Sequence, residues 1–182
     1  MVKNWQTVNK DLINDFRIFK ANWIIRKHPD LGKESKFVVL DSPNWVNIIP
    51  VTKNNEIVLI EQYRQGIDGV TLEVPGGLID PGEDAGEAGE RECREETGYL
   101  SAEKAELLGI NEPNPAFMNN ICYSYLWRNC EKNASQELDP HEDIETVLVP
   151  ADEIKNYIKE GKIKHSLVLT AFFYYFLRYG NL

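Results

Sequence analysis

The feature that most constrains this sequence is a cluster of acidic residues near the middle of the chain. Half of the fourteen residues from 83 to 96 are acidic, namely Glu83, Asp84, Glu87, Glu90, Glu92, Glu95 and Glu96. Like charges at helical spacing repel one another, so a cluster of this density is unfavourable unless a cation balances it. A solvated helix face is the alternative interpretation, and the spacing of the carboxylates decides between the two.

The spacing predicts one helix over residues 85–97 with three carboxylates on one face. Gly98 follows the helix, where glycine commonly ends a helix in the left-handed conformation. Glu92, Glu95 and Glu96 stand at positions i, i+3 and i+4, so they project within about one turn of each other. Hard divalent cations such as Mg²⁺ or Mn²⁺ prefer oxygen ligands of this kind and leave positions open for phosphate oxygens.

The residues around these carboxylates favour a fixed site. Arg91 can hold a neighbouring carboxylate by an ion pair. The run Pro75-Gly76-Gly77 before the helix forces a backbone excursion that can expose carbonyl oxygens to a metal and N–H groups to a phosphate. The other face of the helix is made of small residues, which let it approach a sheet closely: Ala85, Gly86, Gly89 and Cys93.

Composition and length exclude several classes of protein. A chain of 182 residues is expected to form one globular domain, and its net charge of -9 disfavours binding to nucleic acid. The longest apolar run, residues 171–177, is far too short to span a membrane, and the first 25 residues lack the apolar block of a secretion signal. Its three cysteines have no C-x-x-C spacing, so neither a zinc knuckle nor a disulfide framework is indicated. We therefore expect a cytoplasmic protein that does not bind a membrane.

Short apolar and β-branched runs bounded by turn residues predict a mixed sheet covered by helices on both faces. Two strands are expected around a turn at residues 29–32. The other predicted strands are 45–49, 56–62, 71–74, 106–110, 121–128 and 144–149, and the other predicted helices are 151–160 and 165–178.

The acidic helix and its flanks resemble the signature box of the Nudix hydrolases. Gly77, Glu83, Arg91-Glu92, Glu95-Glu96 and Gly98 occupy the motif positions, with hydrophobic Cys93 and Tyr99 in place, and no motif position is missing. The resemblance implies an α/β protein with the Nudix fold, which is an α/β/α sandwich with a mixed sheet, a loop-helix-loop catalytic box and here an N-terminal β extension.

The sequence before the box is similar to the ADP-ribose and nucleoside diphosphate sugar pyrophosphatase branch of that family. Residues 61–64 and 72–77 carry this similarity, as does Pro115, about sixteen residues beyond the box. The resemblance implies four substrate-binding candidates. Arg64 either clamps a phosphate or forms an ion pair at the sheet edge, and Glu73 orients a sugar hydroxyl or forms a structural salt bridge; the other two are Gln62 and Pro115.

The resemblance also implies a set of metal-binding and catalytic residues. In the family, the first and last glutamates of the helix ligate metal together with a carbonyl of the glycine loop, which corresponds to Glu92, Glu96 and Gly76. Glu95 either ligates a further metal or supports the others, so it is both a metal and a catalytic candidate, and Arg91 is a second catalytic candidate. The catalytic base is expected in the acidic loop 138–143, with Glu142 as the best match and Asp139 as the second.

The implied activity is a Mg²⁺- or Mn²⁺-dependent cleavage of nucleoside diphosphate sugars, such as ADP-ribose or GDP-mannose, to a nucleoside monophosphate and a sugar phosphate. Alternatives are a nucleoside triphosphate or RNA-end pyrophosphohydrolase, and a non-catalytic Nudix-fold sensor of ADP-ribose. In this branch an N-terminal segment often completes the site of a second subunit. We therefore expect residues 1–40 to be a dimerisation segment, residues 41–182 to be the Nudix hydrolase domain, and the protein to be a homodimer.

Overall fold

A computed structural model describes residues 1–180 of the chain. These residues form two compact units. One unit contains residues 1–44 and 112–121, and the other contains residues 45–111 together with the described residues from 122 onward.

The first unit is a three-stranded antiparallel sheet in the order β1 (Gln6–Asp15), β2 (Lys20–Lys27) and β3 (Glu34–Asp41). β2 and β3 correspond to the two strands predicted around the turn at residues 29–32. Residues 112–121 join this sheet, since the backbone N–H of Leu40 donates to the carbonyl of Phe117 at 2.8 Å.

β1 is a strand that the sequence pattern did not predict. All ten of its residues are exposed, so burial imposes no alternation of apolar and polar side chains on it. Backbone pairing to β2 holds the strand in place, with irregularities between Thr7 and Asn9 and between Leu12 and Asn14.

The second unit is built on a mixed sheet, as the sequence predicted. Its central pair, β4 (Trp45–Thr52) and β10 (Cys122–Lys132), is parallel, and the remaining pairs are antiparallel. The main strand order is β11-β5-β4-β10-β8, while β6 pairs with β5, β7 with β4 and β9 with β10. The bounds of these strands are β5 Glu56–Arg64, β6 Gly69–Glu73, β7 Gly76–Leu78, β8 Tyr99–Leu100, β9 Glu106–Asn111 and β11 Ile144–Pro150.

Three helices cover the two faces of this sheet. The bounds predicted for the acidic helix are confirmed by α1 (Ala85–Thr97). α2 (Ile154–Lys159) is shorter than predicted, because the backbone N–H of Glu153 closes a turn onto the carbonyl of Pro150 before the helix begins. α3 (Ser166–Tyr179) differs from its prediction by one residue at each end. None of the helices in the described residues is long and apolar enough to cross a membrane.

Packing of the central strands on both faces explains why their sequences are mainly apolar. Successive side chains of a strand point to opposite faces. Ile48 of β4 packs in a cluster with Cys93 of α1, whereas its neighbour Ile49 packs in the cluster that contains Phe172 of α3. A strand that is covered by a helix layer on each face therefore carries apolar residues at most positions, although Asn47 of β4 and Ser124 of β10 are buried polar exceptions.

Two neighbouring phenylalanines of α3 test this layered packing. Phe172 is fully buried, whereas Phe173 is 50% exposed. We expect Phe172→Ala to lower the free energy of unfolding by about 3 to 5 kcal/mol, because it removes buried surface and leaves a cavity. Phe173→Ala should change it by less than about 1 kcal/mol. Urea unfolding followed by circular dichroism measures both, and equal losses would contradict the assignment of the buried face.

Candidate active site

The carboxylates of α1 are positioned by the start of the helix and by the sheet beneath it. The side chain of Asp84 caps the first turn and accepts hydrogen bonds from the backbone N–H groups of Gly86 and Glu87 at 2.9 and 3.2 Å. Gly89 faces the sheet, where an added Cβ would lie 3.1 Å from Cγ2 of Val46. The helix therefore lies close to β4, which fixes the backbone that carries the carboxylates.

Arg91 donates hydrogen bonds to several acidic side chains in and just before this helix. Its Nε and one terminal nitrogen donate to the two carboxylate oxygens of Glu83 at 2.8 and 3.0 Å. Its other terminal nitrogen donates to Glu92 at 2.9 Å and to Glu95 at 3.1 Å. A further bond at 3.1 Å reaches the carbonyl of Leu78 in β7, so every N–H of the guanidinium has an acceptor. Arg91 thereby fixes the rotamers of three glutamates.

The glycine loop packs directly against the other side of these carboxylates. The backbone N–H of Gly76 donates to Oε2 of Glu96 at 3.0 Å. A Cβ on Gly77 would lie 2.5 Å from Oε1 of Glu92, and one on Gly76 would lie 2.2 Å from the carbonyl oxygen of Val46. Both positions need glycine because the backbone itself approaches a carboxylate or another strand.

The site concentrates negative charge in a poorly solvated place. The side chain of Glu96 is 3% exposed, and burial together with the charges of Glu92 and Glu142 raises its pKa well above the ordinary value, although the bond from Gly76 opposes this. Burial also raises the pKa of Glu92, and the nearby Arg91 only partly offsets it. These carboxylates lack a full set of compensating charges within the chain, which is the condition in which a cation binds favourably.

A pocket of about 370 Å³ lies at the end of β5 beside the acidic loop 138–143. Three of the predicted site residues, Gln62, Arg64 and Glu142, line it together. The carbonyl oxygen of the Gln62 side chain is buried without a hydrogen-bond partner. The remaining lining residues are Tyr63, Gln65, His141 and Asp143.

Arg64 is held in the pocket wall by a buried carboxylate. Its Nε and one terminal nitrogen donate to the two oxygens of Glu73, both at 2.8 Å. Burial alone would raise the pKa of Glu73, but the bonds from Arg64 and from the hydroxyl of Thr71 outweigh it and hold the pKa below its ordinary value. Nδ1 of His165 lies 3.4 Å from the same carboxylate. The Arg64 side chain is 43% exposed, and its second terminal nitrogen is not used in the bonds to Glu73, so that nitrogen is available to a ligand.

The acidic loop orients Glu142 by its own backbone. The N–H of Asp139 donates to the Glu142 carboxylate at 3.0 Å, and the N–H of Glu142 donates back to the carbonyl of Asp139 at 2.9 Å. Glu142 also acts electrostatically on Glu92, Glu96 and Arg64, whose pKa values its charge raises. Of the two candidates for a base in this loop, Glu142 lines the pocket.

Glu95 and Pro115 are not among the residues that line this pocket. Glu95 is bonded to Arg91 at 3.1 Å and to Arg94 at 3.4 Å, so it lies between two arginines. Pro115 is an exposed residue of the segment 112–121, which belongs to the other compact unit.

Several residues of the site were not predicted. Gln65, His141 and Asp143 line the pocket, and Thr71 and His165 contact Glu73. Only sequence adjacency to Arg64 and Glu142 could have suggested the first three. The contact of His165 depends on how β6 and the start of α3 meet in the fold. Thr71 is two residues from Glu73 on the same face of β6, so the alternation of a strand could have suggested its contact.

The described residues contain no preformed group of three or more acidic, histidine or cysteine side chains arranged to hold a metal ion. Glu92 and Glu95 point to Arg91 instead. The chemistry of the donors nevertheless fits a hard divalent cation, because Glu92 and Glu96 offer carboxylate oxygens whose negative charge is poorly balanced.

Comparison with known proteins shows the family to which this chain is similar. The family model described as the NUDIX domain matches residues 43–171. A protein of Bacillus methanolicus named methanol dehydrogenase activator is 33% identical over 77% of this chain and 76% of its own length. An ADP-ribose pyrophosphatase of Bacillus subtilis is 26% identical over 72% of this chain and 71% of its own length.

A solved structure supports the fold. The crystal structure of an ADP compounds hydrolase superposes with a TM-score of 0.85 and covers 100% of this chain and 99% of its own, at 19% sequence identity. At that identity the likeness establishes the architecture, and it confirms the fold class predicted from the sequence.

Two substitutions in the charge network should change stability in opposite directions when metal is removed with EDTA. Glu96→Gln should leave the protein at least as stable, because a neutral amide can still accept the bond from Gly76 without a buried charge. Arg91→Met should destabilise it by about 3 kcal/mol, because three partly buried carboxylates lose their shared cation. Urea unfolding measures both.

Glu87→Gln is a matched control, since Glu87 lies on the same helix with its side chain 64% exposed. Its stability should equal that of the wild type. A loss of more than about 1 kcal/mol in Glu96→Gln would mean that the ionised carboxylate stabilises the metal-free fold, contrary to the electrostatic argument.

Proposed function

Because this chain belongs to the Nudix family, we propose that it hydrolyses the diphosphate bond of nucleoside diphosphate sugars, with ADP-ribose and related ADP compounds as the leading substrates. The chain is a Nudix hydrolase, so the proposal concerns its substrate, metal and partners. The observation that supports it is the pocket lined by Arg64, Gln62 and Glu142, where the charge of Glu142 acts on Glu92 and Glu96 of the acidic helix. Such a pocket offers a cation to a diphosphate and a carboxylate to an attacking water.

The proposed metal is Mg²⁺ or Mn²⁺. Glu92, Glu96 and the carbonyl of Gly76 would hold it, and Glu95 would support them or ligate a further ion. When bound, the ion supplies Lewis-acid polarisation of the phosphoryl oxygens. Arg91 is hydrogen-bonded to Glu92 and Glu95, so these carboxylates would be shared between the arginine and the ion.

Separate residues of the chain would bind the diphosphate and activate the water. Arg64, fixed by Glu73, binds an oxygen of the diphosphate and orients it. Glu142 accepts a proton from the water that attacks phosphorus. A new bond forms between the water oxygen and phosphorus, the bridging P–O bond breaks, and the products are a nucleoside monophosphate and a sugar phosphate.

The proposed substrate is a small molecule in the cytoplasm. The net charge of -9 works against a nucleic-acid substrate, so hydrolysis of RNA ends is a weaker candidate. Hydrolysis of nucleoside triphosphates is an outcome that the substrate panel below would reveal.

A second candidate function follows from one relative. The protein named methanol dehydrogenase activator is 33% identical to this chain. This candidate is that the chain raises the activity of an alcohol dehydrogenase. The rate of alcohol oxidation by such an enzyme, measured with and without this chain, tests it.

A substrate panel tests the proposed hydrolysis. We expect ADP-ribose, GDP-mannose or a related diphosphate sugar to be cleaved faster than nucleoside triphosphates, and the activity to disappear in EDTA. Glu96→Gln should lower kcat about a hundredfold or more, which corresponds to about 2.7 kcal/mol in the barrier. Release of nucleoside monophosphate, followed by chromatography, is the measurement.

Glu87→Gln serves again as the control and should keep wild-type turnover. Preferred cleavage of nucleoside triphosphates would overturn the substrate assignment. Full activity of Glu96→Gln would overturn the proposed metal site while leaving the substrate assignment intact.

We also propose that the protein is a homodimer that associates through residues 1–40. β1 lies at an edge of its sheet and leaves backbone groups free to pair. Val8, Leu12 and Ile13 on this strand are 52%, 60% and 45% exposed. A second copy of the chain would cover this apolar surface.

Light scattering should therefore give the mass of a dimer at micromolar concentration. Leu12→Glu should shift the protein toward monomer, because it places a charge in the covered surface. Leu177→Glu is the control, since Leu177 is 58% exposed on α3 and lies outside residues 1–40. A wild-type monomer under these conditions would contradict the proposal.

A further inference from the structure

The end of α1 is bound by a segment of chain that leads into the acidic loop. The last carbonyl groups of a helix have no partner within the helix. Here residues 133–137, which we term the crossing segment, supply partners to the carbonyl groups of Glu95 and Glu96 in the last turn and to that of Gly98, which caps the helix. The backbone N–H groups of Asn133 and Ala134 donate to the carbonyl of Gly98 at 3.1 Å, and that of Glu137 donates to the carbonyl of Glu95 at 2.8 Å.

Gly98 permits this close approach. Its φ of +73 lies in the left-handed region, and a Cβ at this position would lie 2.2 Å from the carbonyl oxygen of Ala134. The glycine that ends the helix therefore has a second role, because its missing side chain is the space through which the crossing segment passes.

Gln136 makes the side-chain connection in this segment. Its Nε2 donates to the carbonyl of Glu96 at 2.6 Å and to the carbonyl of Ile144 at 3.2 Å. Glu96 is the innermost carboxylate of the acidic helix, and Ile144 is the first residue of β11. One planar amide thus bridges the helix that carries the acidic site and the strand that begins where the acidic loop ends.

Both ends of the acidic loop 138–143 are consequently tied to the last turn of α1. Glu137 fixes the start of the loop through its backbone, and Gln136 fixes its end through Ile144. Within the loop, Asp139 and Glu142 bond to each other. The position of the Glu142 carboxylate relative to Glu96 is therefore set by the anchors at the two ends.

We propose that Gln136 is a positioning residue for hydrolysis, which holds the acidic loop so that Glu142 faces the carboxylates of α1. This inference rests on the proposed role of Glu142 as the base. Gln136 touches neither the pocket lining nor a carboxylate oxygen in the contacts described above, so it acts through Glu142.

The rest of the fold has its own support. β11 pairs with β5 over seven residues, from Ile144 opposite Gln62 to Pro150 opposite Glu56. The end of α1 keeps the bond from the N–H of Gly98 to the carbonyl of Arg94 at 2.9 Å. Loss of the Gln136 amide should therefore loosen the loop more than the sheet or the helix.

The test is a double-mutant cycle with Gln136→Leu and Glu142→Gln in the full-length protein. We expect Gln136→Leu to lower kcat about tenfold or more with KM changed less than about threefold, because a misplaced base slows the chemical step. In the Glu142→Gln background the same substitution should cost less than about threefold, because the group that it positions is already removed. Ser135→Ala, an exposed neighbour, is the control.

Hydrogen exchange gives a readout that does not depend on turnover. Gln136→Leu should speed exchange of the amides of residues 137–143 and leave those of β5 unchanged. Gln136→Asn, whose shorter amide cannot span both carbonyls, should act in the same direction and replaces Gln136→Leu if that variant does not fold.

Three results would overturn the inference. They are an unchanged kcat in Gln136→Leu, an equal loss of kcat in both backgrounds, and unchanged exchange in the loop. Failure of the proposed function is seen separately, since it appears as absent turnover of diphosphate sugars in the wild type or as full activity of Glu142→Gln.

Discussion

The site depends on the way in which Arg91 distributes its hydrogen bonds between two glutamates of α1 and Glu83, which precedes that helix. Glu83, Glu92 and Glu95 all share its guanidinium, and its remaining bond goes to the carbonyl of Leu78 in β7. These contacts neutralise part of the acidic cluster and tie the helix to the glycine loop. Glu96 lies outside this network and is buried against the N–H of Gly76, so the negative charge that remains is confined to one place.

The close packing of α1 on the sheet is what makes such confinement possible. Glycine in a helix interior costs about 1 kcal/mol relative to alanine. Gly89 nevertheless lies where a Cβ would meet Val46. The glycine lowers the intrinsic stability of the helix but lets it pack close to β4. Two glycines outside the helix also permit close approach: Gly77 of β7 lies against the Glu92 carboxylate, and Gly98, which ends the helix, lies against the carbonyl of Ala134. The acidic helix is thereby packed closely against β4, the glycine loop and the chain near Ala134.

The sequence predicted the elements whose signals are local. α1 was predicted to the residue, because Gly98 and the spacing of the acidic residues lie within one short segment. β1 was missed, because an exposed strand held by backbone pairing carries no hydrophobic alternation. The family resemblance indicated Gln62, Arg64 and Glu142 as site residues. In the structure these three residues line one pocket. No sequence pattern indicated a role for Gln136. Its bond to Glu96 joins residues that are far apart in the chain, and its bond to Ile144 spans the acidic loop.

The charges close to the pocket, rather than the net charge of -9, govern the electrostatic interaction of this chain with an anionic substrate. Charges on the surface are screened beyond about 8 Å at physiological ionic strength, so distant acidic residues contribute little at the pocket. Arg64 and Glu142 line the same pocket, and Glu73 fixes Arg64 by two bonds of 2.8 Å. The pKa of Glu73 is held low by those bonds, so the pair stays ionised and Arg64 keeps its orientation. A diphosphate placed between this cation and a metal at Glu92 and Glu96 would have positive charge on both sides, while Glu142 would remain free to take a proton from water.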